Sequence, residues 1–130
     1  MQDKPSADEL LDALAEFLEK DVVPAFEGRK RFHAIVAANV ARITAREFRL
    51  GPAQRTAEIM ELRELLGDSP TAAGEGEPSE QAVVVLTAEL CRRIERGEAD
   101  TGEFRRCALG FLRRSIERKL AIDDPKRCGG

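Results

Sequence analysis

The chain has 130 residues, 35% of them charged, a net charge of −3, and neither Trp nor Tyr. That length allows one domain with a single core, and the charge balance excludes an overall pull toward nucleic acid or an anionic membrane surface. No stretch approaches the ~18 unbroken apolar residues of a membrane span. The opening MQDKPSADE lacks the basic-then-apolar order of a secretory signal. Leu, Ala, Glu and Arg are prominent, so a helical, soluble, cytoplasmic protein is expected. Cys91, Cys107 and Cys128 are widely spaced and form no CxxC pair, which fits a reducing compartment.

Ser6 followed by Glu9 forms a capping box and opens the first helix, residues 7–21. Leu10, Leu14, Phe17 and Leu18 recur at helical spacing and predict its buried stripe. Asp8, Asp12, Glu16 and Glu19 fall opposite and predict its water face. Val22-Val23-Pro24 ends the helix, and Phe26 is expected to tuck into the core before Gly28 turns the chain.

The second helix, residues 31–49, is apolar on almost every side. Phe32, Val36, Asn39 and Ile43 share one line, with Ile35 and Val40 flanking. Ala34, Ala37, Ala38, Ala41 and Ala45 cover the back, where small side chains let another helix come close. A helix of this kind has to be wrapped by others. Leu50-Gly51-Pro52 reads as a stop and a new start, a glycine just past one helix and a proline opening the next. The third helix, 53–66, turns Ile59, Leu62, Leu65 and Leu66 inward and Glu58, Glu61 and Glu64 toward water.

Residues 67–79, GDSPTAAGEGEPS, have no large apolar side chain to offset the entropy of ordering them and read as a flexible loop. Ser79 then caps a fourth helix, 80–96, with Val83, Leu86, Leu90 and Ile94 as its stripe. A fifth, 102–121, follows Asp100 or Thr101, with Phe104, Ala108, Phe111, Leu112, Ile116 and Leu120 inward. Residues 123–130 are expected to fray.

The fold class is therefore all-α: a single-domain, up-and-down bundle of about five helices around the central apolar helix 31–49. Charge supports a neighbour pattern. Residues 1–27 carry a net −6 and 53–80 a net −5, whereas 28–49 carry +5 and 102–121 carry +4. Acidic first and third helices should pair with the basic second and fifth, an effect of only ~0–1 kcal/mol per exposed pair that selects arrangement more than it stabilises.

No motif carries catalytic, metal or nucleotide chemistry. His33 is the only histidine, and catalysis or metal binding would need partners at defined spacing. Asn39 lies mid-face among apolar residues, where an unpaired amide would cost about 1–3 kcal/mol. It either fixes helix register through a buried hydrogen bond or lines a polar pocket. Arg46 and Glu47 lie on the same face one to two turns later and could reach Asn39 or an acid of the first helix such as Asp21 in a buried ion network. Arg42, Arg46 and Asn39 could instead build an anion site. Cys91 and Cys107 each stand eight residues from Ala99, so a hairpin there would bring them level, as two small buried side chains or as a disulfide. The basic run RRSIERK lacks the aromatic platforms of a nucleic-acid surface.

Three blocks stand out as a set: PSADELLDALAEFLEKDVVPAFEG, RFHAIVAANVARITAREF with LGPA after it, and KLAIDDPKR. In these the chain resembles a small uncharacterised bacterial family of all-helical proteins, a domain of unknown function. The genes of that family often accompany acyl-CoA dehydrogenase-like and phosphotransferase-like enzymes. The resemblance implies an accessory or partner role near acyl-CoA metabolism and assigns no activity. The family motif includes His33, Asn39, Arg46 and Glu47 as they stand here. The expectation is thus a helical accessory or interaction module that needs no cofactor, its partner a second copy or a larger enzyme. The alternative is a small-ligand protein that holds an acyl or anionic group near Asn39 and Arg46.

Overall fold

The computed structural model describes residues 3–67 and 78–128, and the expected loop 67–79 lies outside them from 68 to 77. Among the described residues there are four α-helices: α1, Ala7–Phe17; α2, Gly28–Leu66; α3, Glu80–Glu95; and α4, Gly102–Asp123. Short helical turns follow α1, a π turn at Leu18–Val22 and a 3-10 turn at Val23–Ala25, and another at Pro125–Arg127 follows α4. The all-helical class stands, with four helices where five were expected.

The difference lies at Leu50-Gly51-Pro52. The expected second and third helices are one helix of 39 residues with Pro52 inside it. A proline ring crowds the N–H and Cβ of the residue before it and so disfavours helical dihedrals there. Gly51 has no Cβ, which removes part of that clash. A helix-ending glycine adopts the left-handed conformation. Gly67 does so, at φ 60°, and closes α2, whereas Gly51 is not among the positive-φ glycines. Leu-Gly-Pro reads as a stop, but here the glycine is what lets the helix pass the proline.

The chain divides into two compact units, Met1–Gly51 and Pro52–Gly130, with the boundary at this peptide.

In the first unit α1 packs on the first half of α2. The capping box forms: the Ser6 backbone N–H donates to the Glu9 carboxylate at 2.8 Å. The buried residues are all small: Ala15 of α1, and Ala34, Ala38, Ala41 and Ala45 of α2. Such side chains let two backbones approach closely, but each removes little apolar area from water. Phe26, expected in the core, is exposed, with the Lys30 ammonium 5.5 Å from its ring centre. Gly28, at φ 63°, supplies the left-handed turn into α2.

The second unit has the larger core. Ile59, Leu62 and Leu66 of α2, Leu86 and Leu90 of α3, and Ala108 and Phe111 of α4 form one buried cluster. Ser79 caps α3, its hydroxyl oxygen accepting from the Ala82 N–H at 3.1 Å. The α2 terminus is held by Arg93, which donates to the Leu66 carbonyl at 2.8 Å and lies 5.9 Å from the Phe104 ring centre. Glu58 and Glu61, assigned to water by the sequence pattern, instead tie α2 to α4. Glu58 accepts from the Ser115 hydroxyl at 3.0 Å, and Glu61 from Arg114 at 3.1 Å and also from Arg118. The Nη1 atom of Arg118 is buried without a hydrogen-bond partner. Of the expected α4 stripe, Leu112 and Ile116 are exposed, while Ile122, beyond the expected helix end, is buried.

Candidate functional site

The first unit is inverted relative to its sequence pattern. Of the acids expected to face water, Asp8 and Asp12 of α1 and Glu19 of the following turn face α2, whereas Glu16 pairs with Lys20 on the outside. Arg42 donates to Asp12 at 3.0 Å and to Glu19 at 3.1 Å, and Arg49 donates to Asp12 at 2.9 Å and Asp8 at 3.1 Å. These contacts frame the alanine seam; Leu11, Leu18, Val22, Val23 and Ile43 are half-buried around it, and many of the large apolar side chains are left outside. Leu10, Leu14 and Phe17 on α1 are exposed, and so are Phe32, Ile35, Val36 and Val40 on α2, by between 40 and 62%. The physical reason is distance. Two helices that meet through alanines are too close to seat leucines and phenylalanines between them. The long acids and arginines then reach across from the seam's edge.

Hydrogen bonds set the carboxyl acidities. The Ser6 hydroxyl and then Arg49 hold Asp8 below the usual carboxylate range. Asp12 is lowered by Arg49 first and Arg42 second.

The candidate site residues are not drawn together. His33 is exposed, its ring 6.0 Å from that of Phe32. Asn39 is exposed on the apolar line, so the cost of a buried unpaired amide does not arise. The Arg42 guanidinium is neutralised by Asp12 and Glu19. Arg46 is half-buried. Glu47 is exposed, and its carboxylate rests over Gly51, 2.7 Å from where a Cβ would stand. A helix rises 1.5 Å per residue, so His33 and Glu47 stand about 21 Å apart along α2. One small ligand could not touch all five.

A groove of about 640 Å³ lies in the second unit and includes Glu61, Glu103, Phe104, Cys107 and Arg114 in its lining. Four of its charges are engaged with one another, Glu61 with Arg114 and Glu103 with Arg106, and Glu64 also lines it. Partial desolvation, reinforced by a 3.5 Å hydrogen bond to Glu103, pushes the Cys107 thiol up, away from the reactive thiolate. Cys91, Cys107 and Cys128 are all free and exposed, so the disulfide weighed for Cys91 and Cys107 does not form. Among the described residues no group of His, Cys, Asp and Glu could hold a metal ion. Nor is any helix long and apolar enough to cross a membrane.

Residues 24–127 match the model of a family described as Domain of unknown function (DUF6285). The chain belongs to this family. No curated protein and no solved structure matches it. The DUF6285 match takes in α2, α3 and α4 and begins after α1. The exposed line on α2 therefore lies in the family's own segment, whereas the partners of Arg42 and Arg49 on α1 precede it.

The sequence reading missed Asp8, Asp12, Glu19 and Arg49 as functional contacts. The signal was available in the alanines. Ala34, Ala38, Ala41 and Ala45 form an unbroken small-residue stripe, and acids spaced to bracket Ala15 match the arginines that flank it.

Proposed function

We propose that this DUF6285 protein is a helical interaction module that acts by binding, through apolar helix faces its own fold leaves open. One observation carries this reading. Most of the large apolar side chains of the first unit, among them Leu10, Leu14, Phe17, Phe32, Val36 and Val40, are exposed, while the side chains it fully buries are alanines. Single exposed apolar residues are ordinary, but contiguous rows of them mark interaction surfaces. Leu109, Leu112 and Ile116 on α4 form a second exposed row at helical spacing. The resemblance noted from the sequence makes a cytoplasmic enzyme of acyl-CoA metabolism the first large partner to test.

The test is recovery of partners from native cells by the tagged chain and by two variants, Val36→Glu with Val40→Glu, and Leu109→Glu with Ile116→Glu. A protein retained by the parent and lost from one variant of unchanged helicity supports the reading. Identical recoveries from all three, or none from the parent together with a strictly monomeric chain, overturn it.

A further inference from the structure

The apolar line on α2 has a chemistry that suits a second copy of itself. Phe32, Ile35, Val36, Val40 and the half-buried Ile43 surround Asn39, with no charge among them. Four of these are exposed by at least 40%, which leaves roughly 400 Å² of apolar surface open on each copy. Two such faces, with their polar flanks, reach the roughly 1,000–1,200 Å² at which specific interfaces begin.

Two features of the line are self-complementary. Arg29 and Glu47, both exposed, are separated by 18 residues, which at 3.6 residues per turn is five whole turns. They therefore stand on the same flank of the exposed line, one at each end, with opposite charge. A two-fold axis normal to a pair of antiparallel helices keeps each flank on its own side. At the level of Ala38, midway between the two charges, such an axis sets Arg29 of each copy against Glu47 of the other. It also sets Val36 against Val40 in both directions. The second feature is Asn39, one residue from that axis. An amide carries both donor and acceptor, so two of them related by a two-fold can satisfy each other. A single asparagine in an otherwise apolar seam is a device that selects one register among helices.

Resting on the interaction-module reading, we infer that the Phe32–Ile43 face of α2 is a homodimer interface. Two copies pair antiparallel about Ala38, with Asn39 meeting Asn39 and Arg29 meeting Glu47. The α1–α2 seam of alanines stays within each copy and the α2 line closes between copies.

Sedimentation equilibrium of the full chain over about a hundredfold concentration range tests this. The parent is expected to dimerise, and Val36→Glu with Val40→Glu to give a monomer of unchanged helicity. Glu47→Arg sets like charges at both ends of the seam and is expected to weaken association several-fold. Adding Arg29→Glu to that variant swaps the pair and is expected to restore association, which a merely structural role for either residue would not do. A parent that is monomeric throughout overturns the dimer. So does a dimer indifferent to Val36→Glu with Val40→Glu, or a charge swap that weakens association further than Glu47→Arg alone. If the parent is monomeric and yet loses a cellular partner when Val36 and Val40 are charged, this inference fails and the wider reading stands.

Discussion

Arg42 donates to Asp12 at 3.0 Å across the α1–α2 seam, and Arg49 reaches the same carboxylate at 2.9 Å. Asp12 thus holds two guanidinium groups about two turns apart on one helix, across the seam of buried alanines. The first unit is fastened by charge at its edge and by close backbone approach at its centre. Both terms are modest, because the pairs are part-exposed and the alanines bury little area.

Ala38 should tolerate no enlargement. It is 2% exposed against α1, and a leucine there has to push the helices apart. Ala38→Leu is expected to cost about 1–3 kcal/mol. Ala37→Leu, on the exposed side of the same turn, should stay within about 0.5 kcal/mol. Urea unfolding followed by circular dichroism separates the two, and equal effects would deny the seam its role.

Acid should loosen the first unit. Asp8 and Asp12 titrate below their ordinary value of 3.8 in the folded chain. A carboxyl whose folded value is depressed contributes stability that is present above the ordinary value and lost as pH falls through the folded one. Stability from this source is therefore flat from neutrality to about pH 5 and declines below about pH 4. Asp12→Asn is expected to lower stability at neutral pH by less than about 1 kcal/mol and to flatten the acid limb. Unfolding midpoints measured at several pH values would show it, and an acid limb as steep in Asp12→Asn as in the parent would refute it.

All-helical character, the capping box at Ser6, the Ser79 cap and the core of Ile59, Leu62, Leu66, Leu86 and Leu90 were legible in the sequence, because each rests on local chemistry or on one unbroken period. Alternation of acidic and basic helices was legible too, and the Asp12–Arg42 and Glu61–Arg114 pairs express it. What could not be read was which face of α1 meets α2. Leu10, Leu14 and Phe17 announce burial, but periodicity says only that a face seeks cover, not whether the cover comes from the same chain. The fusion at Gly51-Pro52 was equally hidden, since the same three residues end one helix or continue it according to a single φ angle. His33, Asn39, Arg46 and Glu47 stood out as polar residues on an apolar helix. That judgement assumed the helix was enclosed, whereas His33, Asn39 and Glu47 are exposed and only Arg46 is half-buried.

Pro52 should be a removable weakness. It lacks the N–H that would reach the Phe48 carbonyl four residues back, in the interior of a 39-residue helix. Pro52→Ala is expected to stabilise the chain by up to about 3 kcal/mol, the difference between the two residues in a helix interior. A raised thermal midpoint in differential scanning calorimetry would support this. An unchanged or lowered midpoint would mean that the ring itself packs against something the gain cannot offset.

Glu61 and Arg118 should respond unequally to removal. Both are mostly covered, at 25 and 18% exposure, and Arg118 already has one buried nitrogen without a partner. Glu61→Ala leaves a covered guanidinium short of its counter-charge and is expected to cost about 2–3 kcal/mol. Arg118→Met removes the charge and the orphan together and should cost less, under about 1.5 kcal/mol. Chemical unfolding of the two variants gives the order, and the reverse order would show that Arg118 does more than answer Glu61.

The alanine seam also decides how this protein responds to mutational scanning. The side chains that let α1 and α2 meet are already alanine, so replacing residues one by one with alanine passes over them unseen. Such a scan would report the exposed phenylalanines and valines as dispensable to folding and assign the seam no value at all. Its worth emerges only when the side chains there are made larger. Among natural variants, a change from alanine to valine at Ala38 or Ala41 would look conservative on paper and act where the side chains are already almost wholly covered.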